Sequence, residues 1–372
     1  MRLNIAILEG DGIGPEVVAQ SMKCLRSIEE TFGHRFTFKK GLIGASALKQ
    51  KGTPLPKETL ELCRTSDAIL FGALGAPEYD NDPQTDIWPE QGLLRLRKEL
   101  GLFANIRPVK VFPALVRQSP LPKKMVKDTD LVIYRELSGG IYYGHKERDE
   151  KNNTATDVCS YSETEISRIA HLAFKAAKGR KRKLTLVDKA NVLETSRLWR
   201  RVVTQIAKSY PDVAMDCMFV DNAAVQMVLN PGQFDVILTS NMFGDILSDQ
   251  GSVIAGSIGL LPSASIGTEH AMFEPIHGSY PEAKDKNIAN PVASILSAAM
   301  LLEHFKLKEE SVAVVAAVLK SFTKKIVTPD IMGSSKYGTS YVGDFIADNI
   351  IELDEGFNLN DENIGLGKST II

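Results

Sequence analysis

The strongest constraint on this chain is an alternation. Short aliphatic and β-branched runs are separated by longer stretches with helical spacing. Residues 3–8, 68–71, 131–135, 184–187 and 234–239 read as strands. Residues 15–31, 92–100, 163–177, 192–209, 245–254, 291–305 and 312–324 read as helices. Strands alternating with helices of this length specify an α/β protein with a largely parallel sheet. At 372 residues, and about 150 residues per domain, the chain is expected to form two domains without staples. Ser162 is a natural N-cap for the helix beginning at Glu163. No internal repeat or long low-complexity linker interrupts the pattern.

Hydrophobic residues at 44% and charged residues at 24% match globular averages and exclude a disordered or fibrous chain. Lys plus Arg is 44 and Asp plus Glu 46, a net charge of −2. Such a chain has no overall field to hold nucleic acid, so any anion must be gripped by a local cluster. The basic run at 178–183 is expected to be a solvated helix end. Cys24, Cys63, Cys159 and Cys217 show no metal spacing and read as reduced core thiols. The first residues lack a signal-peptide core and reach an acid at Glu9. The longest apolar stretches, 293–302 and 312–319, are about half of what spans a bilayer. A cytoplasmic protein bound to no membrane is expected.

Residues 9–16, EGDGIGPE, follow a strand and open a helix, but the dinucleotide spacing GxGxxG fails because Pro15 stands where the last glycine belongs. A Rossmann fold is therefore not indicated, and the loop alone is a tight glycine turn. Asp245 and Asp249 are i and i+4 on one helix face, with Cβ atoms about 6 Å apart. Like charges so placed oppose each other unless a hard cation such as Mg2+ or Mn2+ lies between them. A negatively charged helix start is the plain alternative. Asp221 could complete a metal site if folding or dimerisation brings it near. Arg95, Arg97, Arg107 and Arg135 fall within about forty residues of chain, and guanidinium groups at strand ends can grip carboxylates bidentately. Lys189, just past a strand, suits a general base, and Tyr142 could donate a phenolic proton or simply fill a hairpin.

Taken together, these residues resemble the β-decarboxylating dehydrogenase family, the isocitrate/isopropylmalate dehydrogenases. The resemblance lies in GDGIGPEV (10–17), GLLRLRKELGLFANIRPV (92–109), RELSGGIYYG (135–144), VDKANVLETSRLWR (187–200), NMFGDILSD (241–249), GLLPSASIG (259–267) and EPIHGSYPEAKDKNIANP (274–291), in family order. It implies a two-domain α/β fold distinct from the Rossmann fold. A discontinuous first domain (1–102 plus 256–364) would bind the cofactor, and a second (103–255) would form the dimer interface. Residues 365–372 are expected to be a disordered tail. The active site would lie in the cleft of a homodimer, with Lys189 and Asp221 reaching the neighbouring subunit's site.

The same resemblance implies roles. Arg97, Arg107, Arg135 and Asp221 would bind a dicarboxylate, and Asp221, Asp245 and Asp249 would hold Mg2+ or Mn2+. Lys189 and Tyr142 would be the catalytic base and acid. Ile13, Glu274, His277, Gly278, Ser279, Glu282 and Asn290 would bind NAD, with Glu282 on the adenosine ribose where relatives usually have Asp. Three arginines, a divalent ion and three aspartates with neutral Lys189 leave two positive charges for a dianion. Leu93 and Leu94 offer an apolar patch while Glu90 repels a third carboxylate. The implied reaction is oxidative decarboxylation of (2R,3S)-3-isopropylmalate to 4-methyl-2-oxopentanoate in leucine biosynthesis. Tartrate or malate oxidation in the same family, a metal-dependent phosphatase using Asp245 and Asp249, and a binding-only dimer are the alternatives. GALGAPE (72–78) departs from the family's GGPK on the nicotinamide side.

Overall fold

The computed structural model describes residues 1–80 and 87–351. The tail expected at 365–372 lies outside the described residues. The strands are β1 (Arg2–Gly10), β2 (Arg35–Lys40), β3 (Ala68–Ala73), β4 (Ala104–Lys110), β5 (Asp130–Glu136), β6 (Lys146–Asp149), β7 (Thr154–Asp157), β8 (Lys183–Asp188), β9 (Ala214–Phe219), β10 (Val236–Thr239), β11 (Pro262–Ile266) and β12 (Ala271–Pro275). Ten of them form one sheet, ordered β2-β1-β3-β12-β11-β4-β5-β10-β8-β9, and β6 pairs with β7 separately.

The sheet is α/β but mixed. Its two wings are parallel, β2 to β12 on one side and β5 to β9 on the other. The middle is antiparallel, through β12–β11, β11–β4 and β4–β5. The first five strands in spatial order come from residues before 102 or after 256, and the last five from 103–255. The two groups meet where β11 pairs with β4 over three residue pairs. Strand β4 is hard to read in sequence because it contains Pro108. Pairing with β11 stops at Ile106, so the missing N–H of Pro108 falls beyond that ladder.

Helices cover both faces. Glu163–Gly179 opens with a capping box, Ser162 Oγ accepting from Glu165 N at 3.2 Å while Ser162 N donates to Glu165 Oε2 at 2.7 Å. In Val292–His304 the first eleven residues are all buried, which explains an apolar run without a polar face. Among the described residues no helix is long and apolar enough to cross a membrane.

Two sequence expectations need correction. Arg180, in the run read as solvated, has a buried side chain. Its Nη2 donates to Asp130 Oδ1 at 2.6 Å and its Nε to Asp235 Oδ1 at 2.8 Å, tying a helix end to β5 and to the residue before β10. The cation is retained because two carboxylates replace its hydration. Only Cys24 and Cys63 are core thiols; Cys159 and Cys217 are exposed, the latter on the edge strand β9. Burial pushes the Cys63 thiol up to about 12.

Candidate active site

Asn105 and Arg107 are two residues apart on β4 and so share a face. Across the ladders, Arg135 of β5 and Ser265 of β11 both lie opposite Asn105, and Ser263 lies opposite Glu274 of β12. Four adjacent strands thereby present one buried polar stripe at the antiparallel middle of the sheet. Asn105 connects it, donating from Nδ2 to Ser265 Oγ at 3.0 Å and accepting from Arg107 Nε at 2.5 Å. Ser265 Oγ donates to Glu274 Oε1 at 2.9 Å, which also accepts from Arg97 Nη2 at 2.9 Å.

The helix Asn241–Ala255 lies over this stripe. Its first two turns present Asn241, Asp245 and Ser248, spaced i, i+4 and i+7 on one face. Arg135 donates from Nε to Asn241 Oδ1 at 2.9 Å and from Nη1 to Asp245 Oδ1 at 2.5 Å. Arg107 Nη1 donates to Ser248 Oγ at 2.5 Å and reaches Asp245 Oδ1 at 3.3 Å. Gly244 permits this approach, since a methyl there would stand 2.7 Å from Arg135 Cβ. Tyr142 OH donates to the other oxygen, Asp245 Oδ2, at 3.1 Å.

Burial pushes the Arg107 and Arg135 guanidinium groups below their usual range, with Asp245 the main opposing charge. A guanidinium stays charged, so the shift expresses a demand for anions. Burial also pushes the Asp245 carboxyl up, but Arg135 and Arg107 outweigh it and the net shift is down. Asp249 moves the other way, raised by burial and by Asp245 against the pull of Arg107. Its carboxylate accepts no hydrogen bond among the described residues. The Tyr142 phenol is raised by burial and by Asp245, so it keeps its proton at neutral pH.

Folding does not bring Asp221 to the other two acids. Among the described residues no three His, Cys, Asp or Glu side chains gather closely enough to hold a metal. Asp221 instead stands in the first turn of the helix Val220–Leu229, exposed, and accepts from Lys189 Nζ at 2.5 Å. That contact lowers the Asp221 carboxyl below its usual value. Glu90, Leu93 and Leu94 lie on the helix Pro89–Glu99, with Glu90 exposed and both leucines half-buried.

On the other side of the stripe, residues 10–14 pack against 277–283. Ile13 N donates to Ser279 O at 2.8 Å, and the Ile13 side chain packs with Val17, Ala283 and Ala289. A Cβ on Gly12 would fall 2.0 Å from Ser279 O, so only glycine fits there. His277 is buried, with Nδ1 2.9 Å from Gly278 O and Nε2 left without a partner among the described residues. Burial lowers its pKa, keeping the imidazole neutral. Gly278 has open space before it and Glu282 is exposed. Asn290 bonds to Asp330 Oδ2 and to Val292 N. Sequence reasoning missed Asn105, Asn241, Ser248 and Ser265. Asn241 and Ser248 lie at helical spacing from Asp245 within the quoted NMFGDILSD, and that spacing was the available signal.

The chain that builds these arginine forks over a mixed α/β sheet matches a known family. The family model described as isocitrate/isopropylmalate dehydrogenase matches residues 4–346. The chain belongs to the isocitrate/isopropylmalate dehydrogenase family and is an oxidoreductase, which sets the phosphatase alternative aside. It is 50% identical over 352 residues to the 3-isopropylmalate dehydrogenase of Bacteroides fragilis (strain YCH46), covering 94% of this chain and 99% of that protein. To the 3-isopropylmalate dehydrogenase of Aquifex aeolicus it is 48% identical over 362 residues, covering 96% and 99%. The crystal structure of isocitrate dehydrogenase from Methylococcus capsulatus superimposes with TM-score 0.84 at 34% identity, covering 93% of this chain and 99% of that one.

Proposed function

We propose that the protein oxidatively decarboxylates (2R,3S)-3-isopropylmalate to 4-methyl-2-oxopentanoate and CO2, using NAD+ and Mg2+ or Mn2+, in leucine biosynthesis. The observation that carries this reading is the buried pair Arg107 and Arg135 sharing the single carboxylate Asp245 beside Tyr142. Two forks competing for one carboxylate are under-compensated, and a dicarboxylate substrate supplies what they lack. The names of relatives at about half identity support the substrate. So do the half-buried Leu93 and Leu94, which suit a branched alkyl group, while exposed Glu90 disfavours a third carboxylate.

Both implied groups fit the residues present. Asp245 and Asp249 are hard oxygen donors one helical turn apart, and Asp249 is raised by burial and by Asp245 and accepts no hydrogen bond among the described residues, which suits a divalent cation. The orphaned His277 Nε2 and the open space at Gly278 suit the polar edge and face of a nucleoside. When bound, the two groups supply hydride acceptance and Lewis-acid polarisation of the substrate oxygen. Arg107 and Arg135 would orient the substrate carboxylates, and Arg97, held by Glu274, borders them. Lys189 Nζ and Asp221 Oδ1, 2.5 Å apart, form the path that takes the C2 hydroxyl proton. Tyr142 OH, which keeps its proton, returns one to carbon after CO2 leaves.

A homodimer belongs to the proposal, with Lys189 and Asp221 of the partner subunit completing each site. Support comes from the adjacent helices Val220–Leu229 and Asn241–Ala255, joined by Gln250 Nε2 donating to Ala224 O at 2.6 Å. They leave Val225, Leu229, Ile246 and Val253 more than half exposed, an apolar face that a second copy would cover. Two domains, 1–102 plus 256–364 and 103–255, would flank the cleft.

The test mixes protein, NAD+, Mg2+ and racemic 3-isopropylmalate and follows the absorbance of reduced nicotinamide. Metal-dependent reduction with this substrate, and little with isocitrate, malate or tartrate, is the expected outcome. Reduction with malate or tartrate at equal or greater efficiency overturns the substrate assignment.

A further inference from the structure

The segment running from the last two residues of β3, GALGAPE at 72–78, departs from the family pattern, and no role above absorbs it. Gly75 has φ +119, and a methyl on it would stand 3.2 Å from Glu90 Oε1 and 3.2 Å from Ser279 Oγ. The backbone at Gly75 therefore lies between a residue assigned to the substrate side and one assigned to the cofactor side. Strand pairing does not hold it there, because β3 ends at Ala73. The holding group is Asp11. Its Oδ2 accepts from Gly75 N at 3.2 Å and from Ala45 N at 2.9 Å, and its Oδ1 accepts from Ser46 N at 2.9 Å. Asp11 N also donates to Ala73 O at 2.8 Å. Ala45 and Ser46 begin the helix Ala45–Lys51, whose N-cap, Gly44, has no side chain to satisfy them. Asp11 is 7% exposed, so its carboxylate is satisfied by three backbone N–H groups from two segments rather than by solvent.

We propose that Asp11 is a positioning residue for the reaction, fixing the backbone at Gly75 between Glu90 and Ser279 and with it the spacing of the two ligands. The inference rests on the dehydrogenase reading above. Hydride transfer is steep in distance, and a misplacement of about 1 Å costs about a hundredfold in rate. Asp11→Asn keeps the size of the side chain but turns one acceptor into a donor facing backbone donors, which releases at least one of the three contacts.

Amide hydrogen exchange on the unliganded protein reads the anchor directly. In the unsubstituted protein the amides of Ala45, Ser46 and Gly75 are expected to be protected, and free exchange at Gly75 overturns the proposal. In Asp11→Asn, segments 44–47 and 73–76 should exchange about tenfold faster while 131–136 is unchanged. Kinetics with 3-isopropylmalate deuterated at C2 reads the consequence. For Asp11→Asn we expect kcat to fall between about tenfold and a hundredfold. The primary isotope effect on kcat should rise, while KM for each ligand stays within about threefold. A lower kcat with an unchanged isotope effect means only a smaller folded fraction, and overturns the positioning role. Should Asp11→Asn not fold, Gly75→Ala reads the same junction, with the same kinetic pattern but normal exchange at 44–47; unchanged kinetics there also overturn it. If the unsubstituted protein does not reduce NAD+ with isopropylmalate, the functional reading fails, whereas the exchange result stands apart from it.

Discussion

Gly244→Ala tests how the helix carrying Asp245 rides on the sheet. The added methyl would stand 2.7 Å from both Cβ and Cγ of Arg135 and 3.2 Å from Thr239 Cγ2. Carbon atoms pack at about 3.5–4.0 Å, so the helix must lift by about 1 Å or Arg135 must leave its rotamer. Overpacking of this kind costs about 1–3 kcal/mol, but alanine gains about 1 kcal/mol over glycine inside a helix. The net loss of stability should therefore be only about 0–2 kcal/mol, measurable by urea unfolding with linear extrapolation. Activity should respond far more. Asn241 and Asp245 move with the helix away from Arg135, and a shift of about 1 Å predicts a loss of about a hundredfold in kcat/KM. Full activity at unchanged stability would refute the claim that close helix-to-strand contact sets the fork geometry. A large stability loss with matching activity loss would refute the separation of the two effects.

The two acids should titrate with opposite signs. Asp245 is depressed in the folded state, so it stabilises above its unfolded pKa and that contribution is lost as pH falls through the folded value. Asp245→Asn should lower Tm at neutral pH, with the difference shrinking in acid. Asp249 is raised, so its ionised form weakens the fold above that pKa. Asp249→Asn should raise Tm at neutral pH without divalent ions and lose the rise that Mg2+ or Mn2+ gives; calorimetry across pH checks both. Tyr142→Phe should cut kcat about a hundredfold with little change in KM. Because the phenol is raised, the unsubstituted enzyme should show no alkaline inflection from it near the ordinary value of about 10; such an inflection, absent in Tyr142→Phe, would count against its environment as described. Lys189→Ala should mainly lower kcat, and an effect on KM alone would remove it as the base. Leu229→Glu, on the exposed apolar face, should sediment as a monomer with activity lost; a fully active monomer would show that Asp221 is not supplied by a partner.

The sequence alone settled the elements whose signals are local. The helix read at 163–177 was legible because its spacing is helical and Ser162 stands just before it as an N-cap. β1, β5 and β8 were legible because each is a short run dominated by aliphatic and β-branched residues. The pairing of Asp245 with Asp249 on one face follows from helical spacing with no tertiary knowledge. Likewise the chemistry of arginine forks and acids was readable from residue type, and the joint motifs from their order.

What tertiary structure decided is everything set by strand neighbours far apart in sequence. β4 hides behind Pro108, tolerated only because its ladder with β11 stops two residues earlier. β11 and β12 are only five residues each, β11 rich in serine and β12 broken by Glu274 and Pro275, so periodicity misses them, yet they place Ser265 and Glu274 beside Asn105. Arg180 reads as one charge in a solvated run until Asp130 and Asp235 close over it. Residue types name the groups a site can use, but register between strands 30 to 160 residues apart determines which of them meet, because a strand's side chains have no partner until another strand is laid beside it.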